Sequence, residues 1–406
     1  MKQSEIPKFG NLQGVQVLSV GASIAGPVAC SLFAEQGADV IQIESTLAPD
    51  LLRSIGDMWS AEHRNVRTIA LNIRTPQGED VLRKLLANSD ILVESSKGGT
   101  WENWGLSDEV LWELNPKLVI THVSGYGQTG LPEYVRRGSY DTIGQAFSGF
   151  LAVNGMPEPS PPIPPKPYTG DYVTALFAAW AATAALYRAR ETGKGESIDL
   201  AQYEALLRIQ ADYLTSGLNY GIQPARMGIY GNTVVALPNI MRCKDDNYVS
   251  IGIGGVSIFQ KLEKLIGLGD DPDFAEPHAT IQRDHHPRAE KIVKAMENFC
   301  MSFTAEEVNK ELNDLQIPCS VVMTYEMMET HPHYQARKSV TSWQDPAAGK
   351  ELKGANTIPV FKNNPSQIFR GGPTYGMDNE DILEELGYSK DNIAQLYEDT
   401  IIKKST

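Results

Sequence analysis

The stretch that decides the fold is VQVLSVGASIAGPVACSLFAEQGADVIQIE, residues 15–44. It opens on the apolar run VQVLSV (15–20), which reads as a buried strand. A turn carrying Gly21, Gly26 and Pro27 follows and opens a helix that runs to about Gln36. Residues 40–43 read as a second strand, ending at Glu44. Strand, glycine-bearing turn, helix and strand in so short a span make a βαβ unit, and such a unit pairs its strands in parallel.

The same rhythm continues downstream. Residues 77–88 place Val81, Leu82, Leu85 and Leu86 on one helical face, and 91–93 read as a third strand. A short helix near 110–114 precedes a fourth strand at 118–123. Short links between alternating elements predict an α/β fold built on a Rossmann-like, doubly wound parallel sheet. Residues 156–170 then carry seven prolines, all of them in PEPSPPIPPKPYTG. Such density gives a stiff, extended loop. Composition leaves open whether it is an interdomain linker or one wall of a site. A long apolar helix is expected over 171–190, stopped at Gly193, then a strand at 197–200 and a further helix over 203–219.

From about residue 222 the character changes. Alternation at 248–253, helices near 259–266, 289–300 and 305–315, and an acidic, His-containing loop at 269–287 predict a smaller α+β domain. The tail from 341 reads as a loop, a turn at Gly371-Gly372 and short helices at 380–386 and 390–396. The chain is thus divided into a large domain (1–221), a small domain (222–335) and a C-terminal part (336–406).

The chain has 406 residues, 42% hydrophobic and 21% charged, which is ordinary globular composition with room for two domains. No apolar run reaches the roughly 18 residues of a membrane span; 173–186 comes nearest and reads as a core helix. Residues 1–12 hold no apolar signal segment. Cys30, Cys243, Cys300 and Cys319 show neither CxxC nor zinc spacing, so reduced thiols, a cytoplasmic setting and no metal site are expected. A net charge of −14 argues against a nucleic-acid partner. It leaves room for a polyanionic ligand held by local basic residues.

Two places carry possible chemistry. GASIAGP (21–27) resembles a phosphate loop, but glycines at 21 and 26 miss the GxGxxG spacing. The alternative is that Gly21 and Gly26 let the helix pack closely on the strand, so hydride transfer is a poor first choice. Asp171 begins the apolar helix, where the dipole and free amides favour an ionised carboxylate. An ionised carboxylate is what nucleophilic attack on an acyl group requires. The plain alternative is that Asp171 merely caps its helix.

A resemblance sharpens this. IAGPVACSLFAEQGADVIQIE (24–44), LVESSKG (92–98), NPKLVITHVSGYGQTG (115–130), YDTIGQAFSGF (140–150), PYTGDY (167–172), ETGKGESIDLAQYE (191–204) and FKNNPSQIFRGGPTYGMD (361–378) resemble the CaiB-type, or family III, CoA-transferases. They span essentially the whole chain, and the last is most like the carnitine branch. The resemblance implies a large domain built from both chain ends, an interlocked homodimer, no permanently bound cofactor and coenzyme A as acyl-CoA substrate. It implies that Asp171 is the acyl-carrying nucleophile, working through a mixed anhydride and an aspartyl thioester. It implies that Lys97 holds CoA, against the plain reading of an exposed surface lysine. The CoA-binding arginine expected seven residues further on is replaced by Trp104. Trp104 could instead stack on adenine, or Arg64 or Arg67 of RNVR could take the arginine's place.

The branch implies a betaine-type acid: carnitine, γ-butyrobetaine or crotonobetaine. Aromatic faces hold such a cation, and Tyr126, Tyr134, Tyr140, Trp180, Tyr213 and Tyr230 are candidates. The loop at 227–231 has only two glycines, which argues against the formyl-CoA:oxalate type. Racemases of the superfamily carry GHD where this chain has Ser139-Tyr140-Asp141, so racemisation is disfavoured, and His122 reads as structural. A CoA-binding regulator without catalysis is the reading from another class, and Asp171 within its intact motif argues against it.

Overall fold

The computed structural model describes residues 1–229, 238–275 and 287–405. Six parallel strands form the main sheet: β1 (Gln16–Val20), β2 (Asp39–Glu44), β3 (Arg67–Ala70), β4 (Ile91–Glu94), β5 (Val119–Ser124) and β6 (Glu196–Ala201). Their order is β3-β2-β1-β4-β5-β6. The sheet therefore winds one way from β1 to β2 and β3 and the other way through β4, β5 and β6. That reversal makes the gap between β1 and β4 a topological switch point, where open α/β sheets hold ligands. The parallel sheet agrees with the sequence, except that β3 was not anticipated.

Both faces of the central strands are covered, which is why β1, β4 and β5 are largely apolar and buried. Val17, Val93 and Val119 point into one core, and their neighbours Leu18, Leu92 and Ile120 point into the other. The helices α1 (Ala25–Glu35), α2 (Pro76–Ala87), α3 (Asp108–Leu114), α4 (Asp141–Phe147), α5 (Thr169–Thr192) and α6 (Gln202–Ile209) belong to this part of the chain. The first core packs α1 and the Ala175, Ala178, Ala182 and Ala189 face of α5. Small side chains there let the two helices approach the sheet closely. The second core packs α2 and α3 with residues from the far end of the chain.

The chain divides into two compact units: Met1–Phe150, Pro165–Gly221 and Gln335–Thr406 in one, Leu151–Pro164 and Ile222–Tyr334 in the other. Within the second, β7 (Ile240–Arg242), β8 (Tyr248–Ile251) and β9 (Cys319–Val321) form an antiparallel sheet. Helices α7 (Val256–Leu265), α8 (Pro287–Ser302) and α9 (Ala305–Asp314) accompany it, with Phe259, Ile292 and Val308 in one core. In the first unit the tail adds a hairpin, β10 (Val340–Asp345) and β11 (Lys350–Ala355), where the sequence suggested only a loop. Helices α10 (Asn379–Glu385) and α11 (Lys390–Glu398) then cover the second core. The helix expected over 203–219 is broken at Ala211, which takes a positive φ of 48°. Most of the His-containing loop, Tyr230 and Gly231 lie outside the described residues. All four cysteines are free thiols.

Candidate active site

A crevice of about 470 Å³ opens at the switch point. It is lined by the turn after β1 (Ala22–Gly26), the residues after β4 (Ser95, Ser96, Lys97) and those after β5 (Gly125, Ser139, Tyr140). Asp171 and Gln202 complete one wall, and Lys97 and Arg137 supply positive charge. The two glycines of the first turn have a steric task. A Cβ on Gly21 would fall 2.0 Å from the Ser95 hydroxyl, and one on Gly26 would fall 3.1 Å from Ser95 Cβ. The close approach of the two turns across the switch point therefore needs glycine at 21 in particular.

Asp171 sits in the first turn of α5, buried at 8% exposure. It does not cap that helix. The cap is Asp141, whose Oδ1 accepts from the amides of Gly170 at 2.7 Å and Asp171 at 3.3 Å. Gln145 in turn donates to the other oxygen of Asp141 at 2.7 Å. The Asp171 carboxylate is thus left to face the crevice. Its Oδ1 accepts a 2.5 Å hydrogen bond from Gln202 Nε2. Burial, and then the nearby Asp141 charge, push its pKa up to about 7, against the pull of the Gln202 bond. The helix terminus was expected to hold this group ionised; desolvation and a like charge outweigh it. A carboxylate poised near neutrality in a partly enclosed crevice can act as a nucleophile while remaining a modest leaving group.

Residues 12–379 match the family described as CoA-transferase family III. The chain belongs to CoA-transferase family III. Over 398 residues it is 42% identical to the bile acid CoA-transferase BaiK of Clostridium scindens, covering 96% of this chain and 89% of the relative. A CAIB/BAIF family protein from Brucella suis has the same fold, with a TM-score of 0.80, 25% identity and coverage of 93% of this chain and 100% of that one. The D175A mutant of Rv3272 from Mycobacterium tuberculosis matches with a TM-score of 0.77 at 23% identity, covering 93% and 99%. The protein is therefore a transferase enzyme, and acyl-CoA and carboxylate substrates fit the family.

The transferase brings some of the expected residues together and disperses others. Asp171 and Lys97 line the same crevice. Arg67 does not: it opens β3, an edge strand of the sheet, 1% exposed, paired with Asp39 at 2.6 Å and Glu385 at 2.8 Å. Arg64 is also committed, donating to Glu35 at 2.5 Å and to the Ala355 carbonyl at 2.6 Å. Its guanidinium lies over Trp343. Both arginines, offered by the sequence in place of the cation missing at Trp104, are thus paired with buried carboxylates. Trp104 itself packs on the second core under the Arg74 guanidinium, 4.6 Å from the ring, and is absent from the crevice lining.

Of the candidate rings, Tyr140 alone among the described residues reaches the crevice. Tyr126 and Tyr134 pack with Phe147 and Tyr203, and Arg137 stacks 4.0 Å over Tyr134. His122 is held between Glu94 at 2.8 Å and Asp108 at 3.0 Å. Burial opposes its charge, but those bonds prevail and push its pKa up to about 10.

Sequence reasoning missed Arg137, Asp141 as the helix cap, Ser139 and Gln202. The pair Arg136-Arg137, just before the SYD motif, was a visible cationic signal. A lone glutamine at the start of a helix gives none.

Proposed function

We propose that this enzyme moves CoA between an acyl-CoA and a free carboxylic acid, with Asp171 as the residue that carries the acyl group. The observation that carries this reading is the Asp171 carboxylate, freed from capping by Asp141 and facing a crevice with two cations. Asp171 attacks the thioester carbonyl, the C–S bond breaks and CoA leaves as the thiolate. The mixed anhydride keeps the acyl group activated. The thiolate then attacks the Asp171 carbonyl and releases the donor acid, and the acceptor acid reverses the sequence. Water must be kept out while the anhydride lives. Lys97 and Arg137 would hold CoA phosphates, and Ser95, whose buried hydroxyl has no partner among the described residues, is a further donor to the bound thioester. Rapid quenching with donor alone, followed by peptide mass spectrometry, tests this: an adduct on Asp171 is expected, and its absence rejects the assignment.

The acid is read as a betaine-type carboxylate, such as carnitine, γ-butyrobetaine or crotonobetaine. The carnitine-like segments and the Tyr140 ring in the crevice support this. The 361–378 segment supports it by ancestry and not by contact. Its residues pack elsewhere: Arg370 pairs with buried Asp378 at 3.0 Å, and Asn65 binds the backbone of Phe369. A second reading, a bulky apolar acid, is favoured by the relative named for bile acids. Turnover of γ-butyrobetaine and of a bile acid, each offered as acceptor to the same donor, separates the two.

We also read the enzyme as a cytoplasmic homodimer. Among the described residues no helix is long and apolar enough to cross a membrane. Leu176, Trp180 and Tyr187 recur on one face of α5 and are 60%, 69% and 69% exposed. A helix apolar on both faces is normally covered on both, and a second copy of the chain is the cover that the family implies.

A further inference from the structure

Gln202 is the described side chain that touches the nucleophile, and its surroundings fix which way its amide points. Ionised Asp171 can only accept, so its Oδ1 takes an Nε2 hydrogen, and Oε1 is left to accept from Ser139 Oγ at 3.3 Å. The backbone has been cleared to let this side chain in. A Cβ on Gly144 would fall 2.4 Å from Gln202 Oε1, 2.8 Å from its Cδ and 2.9 Å from its Cγ. Gly144 lies on α4, which also supplies the Asp141 cap. One short helix therefore both places the Asp171 backbone and seats the glutamine against its carboxylate.

We infer that Gln202 is a catalytic residue for the two bond changes at the Asp171 carbonyl itself, as the hydrogen-bond donor to the oxyanion that forms on Oδ1. The inference rests on Asp171 being the nucleophile. In the mixed anhydride Oδ2 carries the acyl group and Oδ1 is the carbonyl oxygen. When the CoA thiolate attacks Cγ, a C–S bond forms and the carbonyl π pair moves onto Oδ1. Collapse returns that pair, breaks the Cγ–Oδ2 bond and releases the donor carboxylate with its electron pair. Attack of the acceptor carboxylate on the aspartyl thioester passes through the same oxyanion, and the thiolate leaves. The Gln202 amide is already in hydrogen-bond contact with that atom, so little reorganisation is needed as the charge arrives. Attack of Asp171 on the substrate thioester builds the new charge on the substrate oxygen and not on Oδ1, the atom that Gln202 touches. The residue thus acts unequally: as an oxyanion donor it serves the steps at the enzyme's own carbonyl, and in the first attack it acts only by favouring ionised Asp171.

The test compares wild type, Gln202→Met and Gly144→Ala in the full chain, each checked by circular dichroism. Each is mixed with acyl-CoA alone, quenched, and the Asp171 peptide weighed. Wild type is expected to show both the acyl adduct and the CoA thioester. At a pH above the Asp171 acid limb of both proteins, Gln202→Met should retain the acyl adduct, lose the CoA thioester and turn over ~10²-fold more slowly, the usual cost of an oxyanion donor. The KM for acyl-CoA should stay within about twofold, since ground-state binding is untouched. Gly144→Ala keeps the glutamine but displaces it, and should shift the adducts in the same direction; it carries the test if Gln202→Met does not fold. A CoA thioester formed at the wild-type rate in folded Gln202→Met or Gly144→Ala overturns this inference alone. Absence of any Asp171 adduct in wild type overturns the nucleophile assignment and this inference with it.

Discussion

On the proposed mechanism Asp171 has to be an anion in a place that disfavours one. With its pKa pushed up to about 7 by burial and Asp141, the ionised fraction changes across the neutral range. On the proposed mechanism kcat/KM should therefore rise with pH along an acid limb centred near 7, which a pH–rate profile of the free enzyme reads directly. Asp171→Ala should abolish transfer and leave the circular dichroism spectrum unchanged; substantial turnover in a clean preparation would reject the assignment. Lys97→Ala and Arg137→Ala should raise KM for acyl-CoA more than for the free acid, with kcat less affected. Equal effects on both substrates would count against a phosphate contact. At this scale the sequence singled out two motif residues, Asp171 and Lys97, that the fold brings to one crevice. It did not show which charges are already paired. Arg64 and Arg67 look like free cations in RNVR, yet each is held by a carboxylate distant in sequence, Glu35 and Asp39 respectively. Pairing of that kind depends on the sheet and leaves no local trace.

The elements were most legible where periodicity was long or the strand fully apolar. α5 and the strands at 16–20, 39–44 and 119–124 were read from such patterns. β3 was missed because it is four residues long and starts on an arginine. The β10–β11 hairpin was missed because its exposed positions are polar and irregular in pattern. The helix over 203–219 was drawn as one because nothing in the sequence marks Ala211 for a positive φ. α5 supports a prediction of its own. Its Ala face is spent on the sheet, so the Leu176–Trp180–Tyr187 face is free to bind another copy. On the proposed homodimer, Trp180→Lys should lower the fraction of chain recovered as dimer by sedimentation after expression. An unchanged dimer would remove this face from the interface.

Stability should report the same electrostatics across the whole molecule. His122 has its pKa pushed up to about 10 in the fold. A raised pKa means that its contribution is complete below the unfolded value near 6.5 and is lost as pH rises towards 10. The Tm of wild type should fall over that window by more than the Tm of His122→Gln, the difference corresponding to a few kcal/mol (order of magnitude). Asp171 acts with the same sign at lower pH. The folded state binds its proton more tightly, so stability is lost as pH rises from about 4 to about 7. Asp171→Asn should therefore be more stable than wild type above pH 7 and equal to it below pH 4, by thermal melts at both ends.

The six-stranded sheet is complete once Ala201 has been made, but its second face is not. Ile382, Leu383, Ile393, Leu396, Ile401 and Ile402 fill that core, and Ile402 bridges to Leu71 beside β3. On the ribosome, at about 5–20 residues per second, the roughly 200 residues between these points take about 10–40 s to appear. For that time a nascent chain carries a nearly finished sheet with an open apolar patch. Newly made chains should therefore draw on trigger-factor-like holding, and messages truncated before α10 should yield protein that is synthesised but not recovered in the supernatant.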